Sequence, residues 1–179
     1  MCIRDSLFTQ IVEELTEKSF LTRPFPRLTY AEAMDRFGTD KPDIRFGLEI
    51  SDASEIAATS EFKVFKGAVD SGGSVRGIAV GGLGDLTRRE IDDLTAIAAS
   101  GGARGLAHFR VQEDGLKSPI AKFFSEAQLG ELRASLGAED GDWMFFVADK
   151  NPVVFESLNR LRLHFRDCLL YTSPSPRDS

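Results

Sequence analysis

The chain has 179 residues, a formal net charge of -6 and a hydrophobic content of 42%. No apolar run approaches the roughly 20 residues of a membrane-spanning helix, and the start lacks a signal-peptide pattern, so a cytoplasmic protein without membrane association is expected. The acidic balance argues against a free-standing nucleic-acid binder, since phosphate contacts require a local excess of Lys and Arg. A basic surface on one side of an otherwise acidic protein is still compatible with this net charge.

The first 50 residues predict two helices. Apolar residues at positions 7, 8, 11, 12 and 15 are typical of an amphipathic helix over 7–20, which the prolines at 24 and 26 end. Thr29 and Glu32 form a capping-box pattern for a helix over 30–37, and Gly38 suits its C-terminal end. This part is too small for its own core, so we expect it to pack loosely, or only at one edge, against the rest.

Residues 51–166 alternate strand and helix patterns. Strands are predicted over 62–65, 75–80, 106–111 and 143–147; the last is a continuous apolar run, typical of a strand covered on both faces. Capping boxes at Thr87 with Glu90, and at Ser125 with Gln128, predict two helices, and a third covers 153–165. The predicted fold class is α+β, a small sheet packed by helices.

The two ends do not fit this pattern. Residues 1–6 and the Ser/Pro-rich residues 167–179 resemble translated sequencing-adapter ends, and segments of this kind are kept out of fold reasoning. Both cysteines, Cys2 and Cys168, lie in these ends. Disulfide, zinc and thiol-nucleophile chemistry are therefore not expected.

Few residues suggest an independent catalytic site. His108 and His164 fall on different predicted elements without ligand spacing, so structural or exposed histidines are favoured over metal or catalytic ones. Residues 81–84, Gly-Gly-Leu-Gly, lack the spacing of a phosphate-binding loop and indicate a tight turn.

Asp40, Lys41 and Asp43 are the exception, because they place three charges around a rigid Lys-Pro step. They either border a ligand site, where they order their neighbours by charge-assisted hydrogen bonds, or form a turn with mutual ion pairs that docks onto the following domain. Both interpretations stay open from the sequence.

Six segments together resemble a known family. Residues 29–49, which contain Phe-Gly-Thr-Asp-Lys-Pro-Asp, resemble the stretch after the second class II motif of bacterial-type aspartyl-tRNA synthetases. Five later segments resemble the GAD domain, which is inserted between motifs 2 and 3 of those enzymes: Glu-Phe-Lys-Val-Phe at 61–65, Leu-Thr-Arg-Arg-Glu-Ile-Asp at 86–92, Ala-Arg-Gly-Leu-Ala at 103–107, Ser-Pro-Ile-Ala-Lys-Phe at 118–123 and Gly-Asp-Trp-Met-Phe-Phe at 141–146.

The resemblance implies that 7–50 is a partial strip of a class II catalytic domain and that 51–166 is a GAD-like inserted domain. The parent enzyme would be a homodimer that activates aspartate with ATP and Mg²⁺ and transfers it to tRNA(Asp). No family catalytic or metal-binding residue can be placed in this chain, so the chain alone is expected to be inactive and without a cofactor.

The resemblance also implies roles for individual residues. Asp40, Lys41 and Asp43 would border the aspartate or adenylate site. Six cations would face the tRNA, although charge groups of this size are usual on any surface: Arg88, Arg89, Arg104, Arg110, Lys117 and Lys122.

Two other functions stay open. The same domain occurs in the B subunit of a tRNA-dependent amidotransferase, where it is not catalytic; residues 29–49 argue against this alternative because they resemble synthetase context. A stand-alone small-molecule-binding domain would require a closed apolar pocket with converging polar groups.

Overall fold

The computed structural model describes the backbone of residues 3–15 and 25–171, and the side chains of 6–15 and 25–166. Predictions for residues 16–24 and 172–179 lie outside the described residues. Helix α1 (Ile3–Leu15) begins before position 7, and the last helix continues to Tyr171, so both helices cross the boundaries proposed for the adapter-like ends.

Five strands form one antiparallel sheet in the order β1-β2-β5-β3-β4. Their bounds are β1 (Ser51–Asp52), β2 (Ser74–Val80), β3 (Ala107–Gln112), β4 (Gly115–Lys117) and β5 (Trp143–Asp149). In the centre, Phe145 of β5 lies opposite Ile78 of β2 and His108 of β3. The α+β class and the strands at 75–80, 106–111 and 143–147 are confirmed, whereas the short edge strands β1 and β4 were not predicted.

In the described residues six further α-helices follow α1, together with a short 3-10 helix (Ala121–Phe123): α2 (Tyr30–Phe37), α3 (Ser54–Thr59), α4 (Lys63–Asp70), α5 (Arg88–Ser100), α6 (Glu126–Leu136) and α7 (Asn151–Tyr171). The capping boxes predicted for α2, α5 and α6 are all formed. In each, the hydroxyl of the residue before the helix accepts from the backbone N–H of the third helical residue, whose side chain accepts from the backbone N–H of the first partner. Local sequence therefore determines where these three helices begin.

The core lies on both faces of the sheet. On one face Phe145 and Ile78 pack against α5 and α7, through residues such as Leu94 and Leu158. On the other face Met144, Phe146 and Phe109 pack against α3, α4 and α6. Because the side chains of a strand alternate between faces, the continuous apolar run in β5 serves both layers, as predicted.

The predicted strand at 62–65 is wrong, because these residues begin helix α4. Phe65 is buried and Val69 packs against the same core cluster, whereas Val64 is exposed. Inward positions at 62, 65 and 69 follow a helical period rather than the period of two that a strand requires. Residues 62–65 alone are too few to distinguish a helical period from a strand period.

Residues 30–50 pack against the domain, mainly along α7. Phe37 and Ile50 are buried, and Ile50 joins the core cluster that contains Leu158. The Ile50 N–H donates to the carbonyl of Arg36 at 2.7 Å, which ties the end of this stretch back to α2. We call residues 30–50 the docked segment.

Candidate functional site

The docked segment turns sharply where α2 ends. Gly38 adopts a left-handed conformation with φ of +72°, and a Cβ at this position would lie 2.5 Å from the carbonyl oxygen of Phe155 on α7. Glycine is required here for two reasons: other residues rarely adopt this φ, and a side chain at this position would collide with α7. The turn directs residues 39–48, which we call the charged loop, across the surface of α7.

Asp43 is held by Arg45 within the charged loop. The guanidinium donates from Nε and Nη2 to the two carboxylate oxygens at 2.9 and 2.6 Å, and the Arg45 N–H adds a third hydrogen bond at 3.2 Å. These bonds favour the ionised carboxylate and lower the pKa of Asp43 to about 2. The Asp43 side chain is 18% exposed and that of Arg45 is 60% exposed, so the pair lies at the surface.

Asp40 and Lys41 remain exposed. The Lys41 N–H donates to the Thr39 hydroxyl at 3.4 Å, which fixes the local turn but leaves the Lys41 ammonium directed to no ion-pair partner among residues 6–15 and 25–166. The structure therefore divides the three predicted site residues. The Asp43 carboxylate is paired with Arg45, while Asp40 and Lys41 are exposed.

A buried arginine, Arg162 of α7, lies beneath the charged loop. Its side chain is completely buried and donates to four main-chain carbonyls: Phe37 at 3.3 Å, Asp43 at 3.2 Å, Gly47 at 3.0 Å and Leu48 at 2.5 Å. The rings of Phe37 and Phe46 lie 4.9 and 5.0 Å from the guanidinium carbon. Burial lowers the pKa of Arg162 to about 10 because the charged form loses hydration.

Arg162 was missed in the sequence because arginine is normally exposed. A signal was nevertheless present. Val154, Leu158, Leu161 and Phe165 define the inward face of α7, and position 162 falls on that face, one turn after Leu158. A charged residue on a helix face that is otherwise apolar indicates a buried polar contact.

Two more arginines stabilise the docked segment: Arg76 connects it to the domain, and Arg36 connects its helix to its C-terminal end. Arg76 of β2 pairs with Asp35 of α2 at 3.2 Å and with Asp52 of β1 at 3.0 Å, and it lies 4.9 Å from the ring of Phe155. Arg36 donates to Glu49 at 2.8 Å. The Arg36–Glu49 pair is largely exposed, so it is expected to contribute less than the contacts of the mostly buried Arg76.

Four of the six candidate tRNA-facing cations lie around one region. Arg110 and Lys117 are cross-strand partners on β3 and β4, and Arg110 contacts Gly84 and Asp85, just before α5. Arg88 and Arg89 are the first two residues of α5 and are exposed. Arg110 also lies 5.3 Å from the ring of Trp143, and Lys117 pairs with Asp114 at 3.2 Å.

The other two cations lie apart from this group. Lys122 lies over the ring of Phe123 at 5.2 Å, and Phe123 packs against the opposite core layer. Arg104 precedes β3, is 91% exposed and approaches Asp149 at 3.7 Å. The sequence grouped six cations, but the structure brings only Arg88, Arg89, Arg110 and Lys117 into one neighbourhood.

The two histidines lie on different elements, His108 on β3 and His164 on α7. His108 is partly buried next to Trp143, its Nδ1 has no hydrogen-bond partner in the described part of the chain, and burial lowers its pKa. His164 is exposed on α7. Among the described residues, no group of three or more His, Cys, Asp or Glu side chains could hold a metal ion, and none of the described helices is both long and apolar enough to span a bilayer.

A cleft of about 810 Å³ lies between α4 and the residues before β3. Its lining is mainly apolar and includes Phe62, Phe65, Leu106 and Phe146. Its charged members are Lys63, Arg104, Asp149 and Lys150, of which Arg104 and Asp149 approach each other.

Both carboxylate oxygens of Asp43 accept hydrogen bonds from Arg45. Magnesium takes oxygen ligands in a near-octahedral arrangement, and Asp43 would have to leave Arg45 to serve as one. The Asp40 carboxylate and the Lys41 ammonium are the exposed charges of this trio.

The chain is similar to known proteins over most of its length. The model of the GAD domain matches residues 65–158, just over half of the chain. An aspartate–tRNA(Asp/Asn) ligase of Rubrobacter xylanophilus is 67% identical over 92% of the chain, and an aspartate–tRNA ligase of Shouchella clausii is 46% identical over 92%. A third relative, an aspartate–tRNA(Asp/Asn) ligase of Thermodesulfovibrio yellowstonii, is 49% identical over 88%. The chain spans about 28% of the length of each of these relatives.

Proposed function

Because this chain belongs to the GAD domain family, we propose that it functions within an aspartate–tRNA ligase. The observation that carries the proposal is the 67% identity to the Rubrobacter xylanophilus ligase. An alignment that covers 92% of the chain necessarily includes residues 29–49, which resemble synthetase context. The amidotransferase alternative has no comparable support from the docked segment and is not favoured.

The proposed reaction of the parent enzyme is the ATP-dependent activation of aspartate, with Mg²⁺, followed by transfer to tRNA. The parent is proposed to be a cytoplasmic class II homodimer. The 179 residues by themselves are proposed to be inactive, since catalysis of this kind depends on several groups held in one preorganised geometry. Asp43, one of the two carboxylates of the charged loop, is paired with Arg45.

Within that parent, the charged loop is proposed to border the aspartate or adenylate site. The exposed Lys41 ammonium suits an anionic neighbour such as a carboxylate or phosphate, and Asp40 suits a cationic one. The ion pair of Asp43 with Arg45 supports a fixed loop shape rather than direct contact between Asp43 and the substrate.

The six cations are proposed to face the tRNA, and Arg88 and Arg89 have the strongest claim. Positive charge in the first turn of a helix opposes the helix dipole, so these two residues do not stabilise α5. Arg110 and Lys117 would extend the same surface, although both already contact carboxylates. Arg104 and Lys122 are weaker candidates because they lie elsewhere.

A tRNA-binding measurement tests this surface. The double variant Arg88→Glu with Arg89→Glu should weaken binding and reduce the slope of log Kd against log salt by about 1 for each lost phosphate contact. The matched control is Lys63→Glu with Lys66→Glu, which makes the same charge change on exposed residues of α4, on the other face of the sheet. Equal losses from both double variants would contradict a specific RNA-facing surface.

A chimera tests the ligase assignment. Residues 7–166 would replace the corresponding segment of the Rubrobacter xylanophilus ligase, and aminoacylation of tRNA with aspartate would be measured. We expect activity to be retained in the chimera, to fall on Lys41→Ala, and to be undetectable for the 179-residue chain alone. A folded chimera without activity, or exchange of pyrophosphate into ATP by the chain alone, would contradict the proposal.

A further inference from the structure

Arg162 has surroundings that a residue needed only for core stability would not have. Burying a charge is costly unless it is paired, and replacing a buried ionic group by an apolar one of similar volume is often neutral or stabilising. Among its described contacts Arg162 has no carboxylate, and its hydrogen bonds go only to main-chain oxygens of one short stretch. Four of its five N–H donors are used in this way.

The four carbonyls mark the start, middle and end of the charged loop. Phe37 closes α2, Asp43 is at the centre, and Gly47 and Leu48 form the return to β1. Leu48 has a φ of +54° and is the non-glycine residue with a positive φ in the described chain. This conformation is costly for leucine and persists only where its surroundings impose it, and the hydrogen bond from Arg162 Nε to the Leu48 carbonyl is one such constraint.

The planar guanidinium suits this role because its donors point in fixed directions. The guanidinium also lies over the rings of Phe37 and Phe46, and these contacts further restrict its orientation. The contact at Asp43 fixes the main chain two residues from Lys41. The shape of the exposed Asp40–Lys41 step therefore depends on a residue of α7.

We propose that Arg162 is a positioning residue through which α7 holds the charged loop in the shape its ligand requires. It acts through the loop and touches no ligand itself. The statement that the loop borders the aspartate site rests on the proposed function above; the statement that Arg162 fixes the loop does not.

Hydrogen exchange of the full 179-residue chain tests the structural part. The variants are Arg162→Met, which removes the N–H donors, and Arg162→Lys, which keeps the positive charge but not the planar guanidinium with its fixed donor directions. The control is Arg160→Met on the same helix, because Arg160 is exposed and contacts Glu156 and Ser100 instead of the loop. The amides of Arg45 and Ile50 report on the loop, and that of Phe145 reports on the sheet.

We expect both Arg162 variants to accelerate exchange at Arg45 and Ile50 at least tenfold while exchange at Phe145 is unchanged, and Arg160→Met to change neither. Equal acceleration at Phe145 would show that Arg162 is only a core residue and would overturn the proposal, as would unchanged exchange in the loop. If Arg162→Met fails to fold, Arg162→Lys decides, and full loop protection in the lysine variant would overturn the proposal.

The chimeric ligase tests the functional part. In that enzyme Arg162→Lys should raise KM for aspartate at least fivefold, with kcat and thermal midpoint changed much less, because the substrate-facing loop is displaced. An unchanged KM for aspartate together with a loosened loop would overturn the link to substrate. An inactive parental chimera would instead refute the proposed function, and the exchange result would then stand alone.

Discussion

The sheet and the docked segment are held in different ways. The central strands are packed on both faces by apolar side chains, and Met144, Phe145 and Phe146 have no exposed surface. The docked segment places only a few apolar groups, such as Phe37 and Ile50, in contact with the domain, and arginines hold the remainder by main-chain hydrogen bonds and ion pairs. The stability of the sheet depends mainly on the amount of apolar area buried. The stability of the docked segment depends more on the direction and length of its hydrogen bonds and ion pairs.

This difference has a dynamic consequence. Apolar packing around β5 connects all the helices of the domain, so losing it should unfold the whole unit. The docked segment contacts mainly α7 and Arg76 of β2, and segments with few apolar contacts open at lower free energy than the core. A loop that must accommodate a substrate is expected to come from this less stable part of a molecule.

The largest expected effect is in the sheet. Phe146→Ala should lower the free energy of unfolding by about 3–5 kcal/mol, because Phe146 packs edge-to-face with Phe109 at 5.8 Å and touches Phe65. Denaturant unfolding followed by circular dichroism measures this change. A loss below about 1 kcal/mol would mean that the site collapses without a cavity, and the contrast between the two regions would fail.

The packing of α5 against α7 should show the next largest effect. A Cβ on Gly101 would lie 2.6 Å from the Cα and Oγ of Ser157, so Gly101→Ala should cost about 1–3 kcal/mol by forcing the helices apart. The matched control is Gly130→Ala in α6, where a Cβ meets nothing within 4 Å; it should stabilise by about 0.5–1 kcal/mol. Effects of the same sign in both variants would contradict the packing described here.

Two equivalent capping boxes allow a smaller and sharper comparison. Thr87→Ala removes the cap of α5, a helix of the core, and should lower the free energy of unfolding by about 1 kcal/mol. Thr29→Ala removes the same cap from α2, so its effect should appear as faster local exchange in the docked segment, with a smaller change in global unfolding. Equal global losses would show that the docked segment unfolds together with the sheet.

The smallest expected effect is a dependence on pH. The pKa of Asp43 is lowered from 3.8 to about 2 by hydrogen bonds from Arg45, so the folded loop favours the carboxylate. That stabilisation is fully present above the unfolded pKa and is lost as pH falls through the folded one. Loop amides should therefore exchange faster as pH is lowered from about 4 to 2, after correction for the intrinsic rate.

Asp43→Asn provides the control for this titration. The amide has no charge to lose, so the corrected exchange rate of the loop should be faster at neutral pH and should change little on acidification. A variant with the same acid dependence as the original chain would assign the titration to another group, such as Glu49, whose pKa is also lowered, by Arg36.

The sequence revealed most of the sheet region because its signals are local and repetitive. Capping boxes placed the starts of α2, α5 and α6, and the apolar run at 143–147 indicated a strand covered on both faces. The segment at 62–65 was assigned wrongly because four residues with two phenylalanines fit either period. Residues 29–49 were recognised as unusual, but their resemblance to a family carried that inference rather than any physical pattern.

The arrangement of the candidate site could not be predicted in the same way. Arg162 is more than 110 residues from each carbonyl that it contacts. Every residue type carries the same main-chain carbonyl, so the sequence does not indicate which carbonyls accept these hydrogen bonds. The grouping of Arg88, Arg89, Arg110 and Lys117 likewise depends on strand register. The pairing of Asp43 with Arg45 is easier to predict from the sequence, because the two opposite charges lie only two residues apart.

Native-state hydrogen exchange of the unaltered chain, measured at increasing low concentrations of denaturant, tests most directly whether the docked segment is a separately held unit. We predict that the Ile50 amide, which donates to Arg36, is protected but opens at a clearly lower free energy than the amide of Phe145, with a smaller dependence on denaturant. An Ile50 amide that exchanges as fast as in an unfolded chain would contradict the docking, and one that opens only with Phe145 would contradict the distinction between the two regions.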